Sequence, residues 1–84
     1  MVSNQIIHDI LKKEGDFVHL SVEGDGYHYH ITAASELFQN MSRLVRQQWF
    51  YTKLNDFIVS GSLHAITIKA YTPEEWAKIN NGKN

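Results

Sequence analysis

Five histidines and no cysteine bound the chemistry open to this chain of 84 residues. Imidazole nitrogen is a metal ligand and carries a proton near neutral pH. With no thiol, the chain has no redox sulfur of its own and forms no disulfide. The histidines are His8, His19, His28, His30 and His64. His28 and His30 stand two apart in a stretch with strand character, so their side chains share a face. His19 is expected to lie across a hairpin from them. Such a trio could take zinc, copper or nickel, although three polar rings on a solvated sheet face is the simpler reading. His64 opens another strand-like stretch. With the parity of Ile66 and Ile68 it is expected at the rim of the buried face, either bonded to a backbone carbonyl or acting as a ligand.

Catalytic patterns are absent. Ser35, Ser42, Ser60 and Ser62 have no base-and-orienter set beside them, and there is no HExxH. Gly24-Asp25-Gly26 fails as a phosphate loop, because neither GxGxxG nor GxxxxGK[ST] is present and the turn leads into a strand. A non-enzymatic protein is expected.

The elements that must position these residues follow from periodicity and punctuation. Ser3 to Glu14 reads as a helix with Ser3 as cap, an apolar stripe of Ile6, Ile7, Ile10 and Leu11, and Gly15 as stop. Phe17 to Val22 alternates as a strand with Val18, Leu20 and Val22 on one side. Glu23-Gly24-Asp25-Gly26 is a turn whose two glycines are free to take positive φ. Tyr27 to Ala33 is the second strand of the hairpin, with Tyr29, Ile31 and Ala33 on one face and His28, His30 and Thr32 on the other. A short helical turn is expected around Glu36-Leu37-Phe38, with Asn40 in the left-handed region. A longer helix from about Ser42 to Val59 carries a buried stripe of Phe50, Leu54, Phe57 and Ile58, extended by Val45 and Trp49. Ser60-Gly61 ends it. Ala65 to Ala70 is a third strand. Thr72-Pro73-Glu74-Glu75 then starts a last helix: Thr72 and Glu75 form a reciprocal capping box, and Pro73 sits where its missing N–H costs nothing. Trp76 and Ile79 dock that helix. Asn80 to Asn84 is expected to fray.

A composition of 43% hydrophobic and 20% charged residues suits one domain over 1–84. The fold class is α+β: a small α-β-β-α-β-α domain whose three-stranded mixed sheet is covered by helices on one face, the long helix serving as the crossover to a parallel third strand. Net charge is −1, which argues against a protein whose main task is gripping nucleic acid. Arg43, Arg46 and Lys53 do lie along or near the outer side of the long helix. With Lys69 they are the residues that would contact phosphates if DNA were bound, and a solvated face is the simpler reading. No apolar run approaches the roughly 20 residues of a membrane span, and the N-terminal stretch lacks a secretory signal pattern. A cytoplasmic protein is expected.

Taken in order, Val22-Glu23-Gly24-Asp25-Gly26, Glu36-Leu37-Phe38, Met41-Ser42-Arg43, Gln47-Gln48 and the run from His64 to Ala77, with its Thr-Pro, acidic residue and Trp76, resemble the BolA-like family. The likeness is to its bacterial IbaG/YrbA branch and spans most of the chain. The resemblance implies the architecture shared with type II KH domains. RNA-binding KH domains use a GxxG loop, however, and Gln39-Asn40-Met41-Ser42 stands there instead, which disfavours RNA grip by that route. It further implies an adaptor that binds a monothiol glutaredoxin and holds a [2Fe-2S] cluster jointly with it and glutathione, in cluster trafficking or in iron, redox or stress regulation. His64 matches the family's ligand histidine. For the second position His28 is the first choice and Asp25 the alternative, a hard carboxylate suiting such a cluster less well. Clusters are held by thiolates, so none is expected on the isolated protein, which would be a monomer or a weak homodimer. The alternative within the same resemblance is a DNA-binding regulator of the stress-response type. Many relatives have Arg-His-Arg where this chain has Arg46-Gln47-Gln48, which weakens that alternative.

Overall fold

Local capping chemistry sets where each helix begins. In the computed structural model, which describes residues 1–81, the Ser3 hydroxyl accepts from the Ile6 N–H at 3.1 Å and opens α1 (Asn4–Lys12). Ser35 caps a 3-10 turn at Glu36–Phe38, and Ser42 caps α2 (Arg43–Lys53). Asn40 takes φ 64°, the left-handed value expected of it.

The long helix expected over 42–59 is interrupted. Leu54 leaves helical geometry at φ −104°, ψ 9°, and a short α3 (Asn55–Val59) follows. Leu54 is fully buried, and Phe57 and Ile58 beyond the break pack against the core. Gly61 then takes φ 82° and closes the segment.

The strands are β1 (His19–Gly24), β2 (His28–Ala34) and β3 (Ala65–Tyr71), in spatial order β1-β2-β3. β1 and β2 pair antiparallel with Val22 opposite Ile31, and β3 runs parallel to β2 with Ile68 opposite Ile31. The first strand starts two residues later than expected. Val18, assigned to the core by parity, is 63% exposed, although its N–H still donates to Ala34 O across the hairpin. Of the two turn glycines only Gly26 has positive φ, at 97°. Gly24 stays in β1, where an added Cβ would meet the His28 carbonyl oxygen at 2.5 Å.

One face of the sheet carries the core. Tyr29, Ile31 and Ala33 of β2 and Ile68 of β3 pack under Ile7 and Leu11 of α1 and Phe50 and Leu54 of α2. Each fully buried side chain of this size contributes about 1.5–3 kcal/mol, which weighs heavily in a domain this small. Ile6 is 48% exposed and outside the stripe, since neighbours on a helix diverge by about 100° and Ile7 takes the inward direction. Val45 is likewise exposed.

The opposite face is polar and open along most of its length. At its far end Trp76 stacks on His19 at 4.4 Å and lies against Tyr71 at 5.8 Å, so the last helix, α4 (Pro73–Asn81), adds cover over buried Ala34. Asn80 and Asn81, expected to fray, belong to this helix; the remainder of that expectation, 82–84, lies outside the described residues.

The capping box at α4 is present in both directions. The Glu75 N–H donates to Thr72 Oγ1 at 3.2 Å, and the Thr72 N–H donates to Glu75 Oε1 at 2.8 Å. Glu75 also accepts from Arg46 at 2.7 Å. The Arg46 guanidinium, followed by the Thr72 N–H, holds the Glu75 carboxyl below its ordinary value. A lowered folded-state pKa means stability that is complete above the unfolded value, about 4.3, and is lost as pH falls through the lower folded value. Glu75→Gln is therefore expected to destabilise at pH 7, and the gap from the parent chain should close in acid below about pH 4. Urea midpoints of the two proteins across pH 2.5–7 check this, and a gap that persists unchanged at the lowest pH refutes it.

β3 is a sheet edge with an uneven backbone. The Ala65 N–H donates to Tyr27 O, and Tyr71 O accepts from the Ser35 N–H, so odd-numbered residues face β2. Ile66, Ile68 and Ala70 face outward. Gln47 Nε2 donates to Ile68 O at 3.0 Å and Arg46 Nη1 donates to Ala70 O at 3.0 Å. Side chains of α2 thus occupy two outward carbonyls of the edge.

Candidate functional site

Parallel pairing brings the start of β2 and the start of β3 to the same end of the sheet. His28 is in register with Ala65, so the β1–β2 turn and His64 become neighbours. Asp25 shapes the turn: its Oδ1 accepts from the Tyr27 N–H at 2.9 Å and the His28 N–H at 3.0 Å. The His28 N–H first, and the Tyr27 N–H after it, hold the Asp25 carboxyl below the usual range.

His64 lies just outside β3, at the end of the sheet, and is exposed. The reason is an irregular approach: Gly61 turns the chain, Leu63 takes the buried position, and its N–H donates to Phe57 O. Strand alternation begins only at Ala65. The ring of His64 lies beside that of Tyr27, with centroids 6.5 Å apart and planes 24° apart.

His28 sits on the open face. Its Nε2 is 2.8 Å from Thr67 Oγ1, and its ring stacks on His30 at 4.4 Å. The expected pairing of His28 with His30 is therefore present, but His19 does not join them. It is in register with Ala34 at the other end of the hairpin and stacks on Trp76. No group of three His, Asp or Glu residues close enough to hold a metal occurs among the described residues. What the sheet end offers is an exposed imidazole at His64, a hydrogen-bonded imidazole at His28, and the Asp25 carboxylate in the turn.

The cations named for phosphate contact divide into two pairs. Arg46 donates to Met41 O, Ala70 O and Glu75, and Lys53 donates to Glu14 at 2.8 Å and lies over Trp49. Both are engaged within the fold. Arg43 and Lys69 are exposed and, with Lys78, line a groove of about 650 Å³ along β3 between α2 and α4.

Three contributors were not foreseen. Thr67 as partner of His28 follows from the parallel register, which sequence alone leaves open. Lys78 joins the groove through the placement of α4. Tyr27 beside His64 needed the same parallel pairing.

This sheet order, with a parallel third strand entered from an exposed histidine and followed by a Thr-Pro-capped helix, defines a recognised class. The family model for BolA-like protein matches residues 3–75, and the chain belongs to that family. It is 40% identical to the acid stress protein IbaG of Escherichia coli over 77 residues, covering 92% of each chain, which sets it with the bacterial IbaG branch. Among solved structures it is similar to the BolA domain of SufE1 from Arabidopsis thaliana, with 30% identity, a TM-score of 0.79, and coverage of 89% of this chain and 99% of that one. A bol-like protein from Babesia bovis superposes with a TM-score of 0.82 at 26% identity, covering 95% of both. No helix among the described residues is long and apolar enough to cross a membrane.

Proposed function

We propose that this chain is a non-enzymatic adaptor that docks on a monothiol glutaredoxin and lends His64 to a [2Fe-2S] cluster held jointly with the glutaredoxin cysteine and glutathione. The observation that carries the reading is an exposed imidazole beside the β1–β2 turn in a protein without cysteine. Clusters are held chiefly by thiolates, and imidazole in place of thiolate on one iron raises the reduction potential. A partner must therefore bring the sulfur, and this chain brings nitrogen. The donor set fits that division of labour. His64 is open to a partner, and His28 or Asp25 stands in the adjoining segment as second ligand. His28 must serve through Nδ1 or exchange its Nε2 bond to Thr67, and Asp25 must offer its second oxygen while the first holds the turn.

The role served is cluster trafficking, or sensing of iron, redox or acid stress, in the cytoplasm. The nucleic-acid reading is less well supported. Two of its four cations, Arg46 and Lys53, are spent within the fold.

Anaerobic mixing tests the proposal. The chain is combined with a monothiol glutaredoxin, iron, sulfide and glutathione, and visible circular dichroism is recorded. A spectrum distinct from that of the glutaredoxin alone is expected. An unchanged glutaredoxin spectrum rejects the adaptor reading and makes salt-dependent DNA binding the next test. In the same assay His28→Ala is expected to alter the shared spectrum more than Asp25→Ala, and the reverse order assigns the second ligand to Asp25.

A further inference from the structure

The backbone around His64 is fixed on both sides. Leu63 is buried with its N–H on Phe57 O, and the Ala65 N–H donates to Tyr27 O at 3.3 Å. What remains loose is the imidazole itself. It is exposed and has one aromatic neighbour, Tyr27. Tyr27 is itself well anchored by its backbone: its N–H is held by Asp25, and its carbonyl accepts from Ala65. Its side chain is nevertheless 72% exposed. A large aromatic ring held in solvent beside a candidate ligand calls for an account, since nothing in the core requires it.

We propose that Tyr27 is a positioning residue for His64: its ring walls one side of the imidazole, limits the rotamers open to it, and shields it from water when a partner's cluster is bound. The inference rests on the adaptor reading and adds a residue to it. Ring centroids within 7 Å are close enough for aromatic contact. A side chain with fewer rotamers to lose binds with less entropic cost. The hydroxyl of Tyr27 has no hydrogen-bond partner among the described residues, so the ring, not the phenol oxygen, is the working part. Phe should therefore replace Tyr, and a small residue should not.

Two readouts test this on the full chain. In the protein alone, His64 ring protons are followed by NMR. Loss of the Tyr27 ring current in Tyr27→Ala should shift them, while Tyr27→Phe should keep them near the parent position. In the anaerobic mixture with glutaredoxin, the shared cluster is challenged with an iron chelator. It should be lost roughly threefold to tenfold faster with Tyr27→Ala and at the parent rate with Tyr27→Phe. Unshifted His64 protons in Tyr27→Ala overturn the inference without reference to any cluster. A shared cluster that lasts equally long in Tyr27→Ala overturns it while leaving the adaptor reading intact. A parent mixture with no shared cluster overturns both.

Discussion

His64→Ala is expected to abolish the spectral difference between glutaredoxin alone and glutaredoxin mixed with this chain, while leaving the chain folded. The two halves of that expectation have separate physical grounds. The side chain is exposed, its backbone neighbours are held by Leu63 and Ala65, and no part of the core depends on its ring. Truncation at such a site changes stability by about 0.5 kcal/mol or less, so the urea midpoint should barely move. Removal of the proposed metal ligand acts on a different scale, because the other candidates at this end of the sheet already have bonds to hold. His28 faces Thr67 and His30, and Asp25 holds the turn. The measurement is visible circular dichroism of the anaerobic mixture, with urea unfolding of the variant as control. A variant that folds normally and still gives the shared spectrum removes His64 from the site.

The second large effect falls on stability. Arg46→Ala should lower it by about 2–4 kcal/mol, since a partly buried charged donor with several hydrogen bonds is lost and its acceptors are left behind. For a domain of this size that is roughly 10 °C or more in Tm. Arg46 touches three parts of the fold at once. It donates to Met41 O before α2, to Ala70 O on β3, and to Glu75 in the capping box of α4. A lysine carries the charge but not the planar fork that reaches several acceptors, so Arg46→Lys should recover less than half of the loss. Thermal unfolding of the three proteins is the check. A Tm for Arg46→Ala within 2 °C of the parent, about the shift that ~0.5 kcal/mol produces, would mean that the hub is not formed in solution.

Much of this arrangement is legible in the residues themselves. The capping box is readable because Thr72 and Glu75 satisfy backbone donors at the start of their own helix and Pro73 removes one, all within four positions. Asn40 is readable because asparagine tolerates the left-handed region better than most side chains. Parity in the second strand gives Tyr29, Ile31 and Ala33 inward and His28 and His30 outward, because the strand is regular from end to end. Where reading from sequence fails, the chain leaves regular geometry or the decision is tertiary. His64 follows an irregular turn, so parity counted back from Ile66 does not give its exposure. The break at Leu54 leaves the expected stripe in place, with Leu54 buried and Phe57 and Ile58 packed against the core, and helical periodicity carries no signal for it. His19 turns to Trp76 because of where the last helix returns. The nearness of His64 to Tyr27 depends on β3 being parallel, so family likeness, not spacing, is what singles out His64 in the sequence.

The occupied carbonyls of β3 bear on a hazard that every open sheet carries. An unpaired edge is a template on which a strand from another molecule can lay down, and chains of such additions lead to fibrils. Strand addition requires donors and acceptors in alternation. At Ile68 and Ala70 an incoming strand would find N–H groups whose companion carbonyls are already taken by Gln47 and Arg46. The incoming strand would also meet the bulk of α2 standing over the edge. The same guanidinium that ties α4 to the sheet thus takes an acceptor that a strand added at this border would need.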